Sequence, residues 1–82
     1  MKVLKLGNSA VDLAAENIPF NAGNTLILVN LTGGQLVLQS SDVTGSGYGT
    51  LATIPAYELQ AVTLDKQFIK VSTAAELFLI GN

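Results

Sequence analysis

Cysteine, histidine, arginine and tryptophan are all missing from this chain of 82 residues. Without cysteine there is no disulfide to staple the fold and no thiol nucleophile. Without histidine the common zinc ligand sets and the usual general base are both excluded. Charge is scarce too: charged residues make up 12% of the chain, against about 25% in an ordinary soluble domain. The longest uninterrupted aliphatic run is Leu26–Val29, far short of the roughly 20 residues a membrane-spanning helix needs. The opening residues Met1–Gly7 hold no apolar stretch of secretory-signal length, so an intracellular product or a chain assembled inside a cell is expected. Four lysines and six acids leave a net charge of −2. That argues against a nucleic-acid partner, which needs a basic face, and it is too mild for an acidic interaction tail.

What is present is apolar. Apolar residues account for 49% of the sequence. A domain this small exposes proportionally more surface and should need more charge than average, not less. The composition therefore predicts a single domain over residues 1–82 whose exterior is partly covered by other protein, either identical copies or a larger scaffold.

The patterning predicts an all-β fold, a small antiparallel sandwich or barrel of about seven short strands with turn signals every 8–12 residues. Lys2–Leu6 alternates and reads as an edge strand whose lysines discourage unwanted pairing. Ala10–Glu16 fits either a short strand, through Val11 and Leu13, or one capped helical turn. Asn17–Asn24 reads as a loop, with Ile18 and Phe20 pinning it to the core. Leu26–Leu31 and Gln35–Gln39 flank Thr32-Gly33-Gly34, and this predicts a central hairpin covered on both faces. Gln60–Leu64 and Phe68–Val71 predict a second hairpin across Asp65-Lys66-Gln67, and Glu76–Ile80 the last strand. Phe20, Phe68 and Phe78 are expected in the core. Asn30 and Gln39 interrupt the central hairpin and need hydrogen-bond partners, or mark a contact with another subunit, or sit in solvent at a strand end. The Asn30-Leu31-Thr32 sequon is expected to be accidental.

Little here carries chemistry. Asp12, Glu16, Asp42, Glu58, Asp65 and Glu76 fall at turns or strand ends and read as solvated surface acids. Gly45-Ser46-Gly47-Tyr48-Gly49 lacks the following helix and lysine of a phosphate-cradling loop, so it reads as a pliable connection. Such a loop can also be a contact element. The residues expected to touch a partner are Gly47 and Tyr48 of this stretch, Val43 just before it, and Tyr57, since tyrosine offers large area with one polar tip. No catalytic residue, metal ligand or cofactor is expected.

The run Ala22–Asn30, the segment Val62–Val71 and the ending Leu77–Gly81, in a short chain free of histidine and cysteine, resemble small virion structural proteins of tailed bacteriophages, in particular capsid decoration (cement) proteins. The resemblance implies a non-enzymatic protein bound to the major capsid protein lattice at the outer capsid surface, a homotrimer, made in the host cytoplasm and resident in the virion, with no membrane or nucleic-acid partner. Two other readings remain open at this stage. One is a different viral module of tail, fibre or head–tail connector. The other is a small barrel binding a peptide or carbohydrate through the Gly45–Gly49 loop.

Overall fold

The computed structural model describes residues 2–18 and 25–81. Eight strands run in the order β1 (Lys2–Leu6), β2 (Val11–Asp12), β3 (Thr25–Val29), β4 (Leu36–Ser41), β5 (Gly49–Ile54), β6 (Leu59–Thr63), β7 (Phe68–Val71) and β8 (Leu77–Gly81). Among the described residues there is no helix. The strands form two four-stranded sheets, β1-β8-β3-β6 and β2-β7-β4-β5, in which every pairing is antiparallel. The all-β sandwich expected from the patterning is what forms, with eight strands rather than about seven.

The pairings nest. β1 meets β8, β2 meets β7, β3 meets β6 and β4 meets β5, while β3–β8 and β4–β7 join these pairs into sheets. This is the strand order of a jelly roll. Most ladders therefore join residues far apart in the chain. Among the described residues, β4–β5 is the one pair of consecutive strands that share a ladder.

Both expected long hairpins are corrected by this wiring. β3 and β4 lie in different sheets, and so do β6 and β7. The turn chemistry explains the first case. A two-residue hairpin turn of the favoured type needs positive φ, yet among the described glycines only Gly47 has it. A Cβ at Gly33 would lie 3.2 Å from the hydroxyl of the exposed Tyr57 side chain. The chain instead arches from one sheet to the other, so the two apolar runs face each other and Leu28 and Leu38 are both fully buried. In the second arch Leu64 is buried between the sheets, and the Gln67 carbonyl accepts from the Leu13 amide.

The arch at β3–β4 is closed by Asn30. Its fully buried Nδ2 donates to the carbonyls of Gly34 (2.8 Å), Ile54 (3.1 Å) and Pro55 (3.1 Å). Its Oδ1 accepts from the Thr32 amide and hydroxyl at 2.9 and 2.7 Å. All these partners lie in the same chain, and the sequon nitrogen is shut away from solvent.

The ambiguous segment is both of its readings in turn. Val11–Asp12 pairs with β7, and the chain then makes one helical turn. Asp12 caps it by accepting from the Ala14 amide at 3.0 Å. The turn ends with Ile18 N–H donating to the Leu13 carbonyl and Asn17 N–H to that of Ala14, with Asn17 at φ 58°. That is a Schellman ending, with asparagine in the left-handed position glycine more often takes. Leu13 and Ile18, the apolar pair this motif brings together, are both buried.

The core is aliphatic, dominated by leucines of both sheets. Phe68 and Phe78, expected inside, are half-buried instead. Their register explains it: Phe78 pairs with Lys5 and Val29, and Phe68 with Asp12, on the outward-facing sides. Phe20 lies outside the described residues.

Candidate functional site: an apolar sheet face

Alternation along a strand sends neighbouring residues to opposite faces, and directly paired residues share a face. In the first sheet, Leu4, Leu6, Leu26, Leu28, Val62, Leu77 and Leu79 point inward. The outward side is then fixed by register. One row runs Val3, Ile80, Ile27, Ala61 across all four strands. The next runs Lys5, Phe78, Val29, Leu59. Thr25 and Thr63 close one end, their hydroxyls 3.4 Å apart.

Lys5 is the single charged residue in these rows. Its Nζ sits 3.5 Å from Glu76 Oε1 at the margin, both side chains largely in solvent, where such a pair contributes little. Val3, Ile27 and Leu59 are 51%, 45% and 66% exposed. Four strands about 4.8 Å apart and five residues at about 3.4 Å each give a face of roughly 19 by 17 Å. That is about 320 Å², the size of the largest apolar patch on many monomeric proteins, which is often functional.

The outward side of the second sheet differs. It carries Asp12, Gln39, Thr50, Thr53 and Lys70 beside Phe68 and Val37. Asp12 Oδ1 accepts from Gln67 Nε2 at 3.0 Å. That hydrogen bond, with those from the Ala14 and Ala15 amides, holds its carboxyl below the usual carboxylate range against an opposing desolvation effect. The Lys70 ammonium lies 4.6 Å from the centre of the Tyr48 ring. One outer face is thus polar and the other greasy.

The four residues expected at a partner contact are not brought together. Val43, Gly47 and Tyr48 occupy the β4–β5 connection at one end of β5, and Tyr57 follows its other end, about 20 Å away along a six-residue strand. The connection covers residues 42–48, because β5 starts at Gly49 and accommodates Leu51 as an extra residue opposite the Leu38/Gln39 step. It is braced from within. The buried Ser41 hydroxyl donates to the Ser46 carbonyl and accepts from the Val43 amide. The Tyr48 hydroxyl donates to the Thr44 carbonyl at 2.7 Å. Gly47 takes φ 73°, a conformation that favours glycine. Val43 is exposed, Tyr48 half-buried and Tyr57 74% exposed, with φ 57° and its amide donating to Thr32.

Sequence reasoning missed Ile27, Ile80, Phe78, Val3 and Leu59 as surface residues. The signal was present, since Thr25–Val29 and Leu77–Ile80 are apolar at nearly every position. For Leu26–Leu31 that signal predicts a strand covered on both faces, and within one chain β3 is covered on one. Among the described residues, no three acidic side chains come together as a metal site. Comparison with protein-family models, curated proteins and solved structures finds no match to the chain.

Proposed function

We propose that the chain is a non-enzymatic structural protein that binds the outer surface of a phage capsid and stabilises the assembled shell. The observation that carries this is the apolar outward face of the first sheet, set against a polar face on the second. A protein with this asymmetry has one side suited to water and one suited to another protein. The resemblance of the sequence to phage decoration proteins names the partner as the major capsid protein lattice, implies a trimer as the bound unit, and puts the protein on the virion after manufacture in the host cytoplasm. The jelly-roll strand order occurs in viral shell proteins and also in lectins and cupins, so it supports the reading by analogy alone.

The mechanism needs no cofactor. A ligand that binds only the assembled state stabilises that state by mass action. Many copies on a repeating lattice add their contributions, and a lattice presents the sites already ordered.

The test is co-sedimentation of the purified protein with expanded heads of the phage whose genome encodes it. The expected result is saturable binding over the whole head and a raised temperature of head disruption. Failure to bind heads would contradict the proposal. Antibody label confined to one vertex would contradict it too, in favour of a tail or connector part.

A further inference from the structure

A two-sheet sandwich has four edge strands, here β1 and β6 in the first sheet and β2 and β5 in the second. Exposed edges invite pairing with another chain, and proteins blunt them with charge, proline, bulges or brevity. Three of these four edges are blunted. β1 contains two of the chain's four lysines. β2 has two residues. β5 carries the bulge at Leu51 and is followed at once by Pro55.

Within its own five residues β6 has none of these devices, the nearest charge being Glu58 just before it. Its sequence Leu59-Gln60-Ala61-Val62-Thr63 holds no charge and no proline. It pairs with β3 in unbroken register over all five residues. Among the described residues, no strand is hydrogen-bonded along its other edge. The difference from the other edges is the signature of an edge kept open for pairing.

We infer that β6 pairs antiparallel with β6 of a second copy of this chain, about a two-fold axis at Ala61, to make one continuous eight-stranded sheet. The strand fits itself. The register centred on Ala61 is the one that uses all five residues of both strands, placing Ala61 opposite Ala61 of the partner copy and Leu59 opposite its Thr63. No charges meet across that ladder. Directly paired residues share a face, so the row Val3, Ile80, Ile27, Ala61 continues into the same row reversed. The joined apolar face is then about 38 by 17 Å, nearer the roughly 800 Å² that a standard interface takes from each partner. The unit meeting a larger surface is two chains, not the three that the resemblance implies. This inference concerns the same sheet as the capsid reading but does not depend on the capsid.

The test uses the absence of native cysteine. Residues directly opposite in an antiparallel ladder have Cβ atoms about 4.5–5.5 Å apart, close to disulfide reach. Ala61→Cys should form a covalent dimer under mild oxidation at least tenfold faster than Val3→Cys, which sits at the other edge of the same row. Light scattering on the unmodified chain should give the mass of two. Equal cross-linking of the two variants, or a native mass of one or three chains, would overturn the inference. A dimer that ignores heads would sink the capsid reading and leave the pairing intact. A monomer that binds heads would do the reverse.

Discussion

Ile27 of β3 lies directly opposite Ile80 of β8, and both side chains point away from the core. The pair sits in the middle two strands of the first sheet, with Val3 on one flank and Ala61 on the other. Replacing Ile27, 45% exposed, by aspartate loses strand propensity and the cross-strand contacts with Ile80 and Ala61 but opens no cavity in the core. Ile27→Asp should cost about 1–2 kcal/mol of stability and leave the chain folded, while weakening head binding at least tenfold. Urea unfolding and co-sedimentation, run on the same preparation, check both halves.

Asn30 supports the arch rather than any surface. Asn30→Ala strands the carbonyls of Ile54 and Pro55 without their donor, and leaving buried polar groups unsatisfied costs about 1–3 kcal/mol. Asn30→Asp should do worse at neutral pH, because a carboxylate would face three carbonyl oxygens. Some of that loss should return in acid as the new group protonates. Urea midpoints of the two variants at pH 7 and pH 4 measure this.

Gly81 is small because Leu26 fills the space beside it. A Cβ on Gly81 would overlap the end of the buried Leu26 side chain. Gly81→Ala should destabilise by about 1–3 kcal/mol, as overpacking does. The Leu26→Ala, Gly81→Ala double variant should lose less than the sum of the single changes, since the two residues compete for one volume. A double-mutant cycle in urea reads the coupling.

Asp12 ties the turn before Asn17 to β7. Its carboxyl is held below the usual range mainly by the Gln67 amide. A lowered folded value means the contribution is complete above the unfolded pKa of about 3.9 and is lost as pH falls through the folded one. The gap in urea midpoint between the native chain and Asp12→Asn should therefore hold steady from pH 7 to 5 and shrink below pH 4.

How much of this was legible depended on whether the physics was local. The period-two pattern of β1 and its lysines correctly marked a strand at a sheet edge. Pro55, which cannot donate to a ladder, directly follows the last residue of β5. The partner of each strand was not legible, because turn residues report only the immediate connection. Thr32-Gly33-Gly34 resembles a hairpin turn, yet the strands it joins lie in different sheets. The ladder between β1 and β8 joins the two ends of the described chain and has no local signal at all. The outward face was half legible. Composition predicts apolar surface outside the core, but which residues form it follows only once register places Val3, Ile80 and Ile27 in one row.

The central claim is that this row is open in the free chain and covered at work. Ile27→Cys gives a single thiol in a chain with no other, and Gln39→Cys gives one on the polar sheet. The decisive measurement is the rate at which a polar maleimide labels each variant, free and bound to expanded heads. The account predicts at least tenfold slower labelling at position 27 on heads and little change at 39; equal rates at 27 in both states would contradict it.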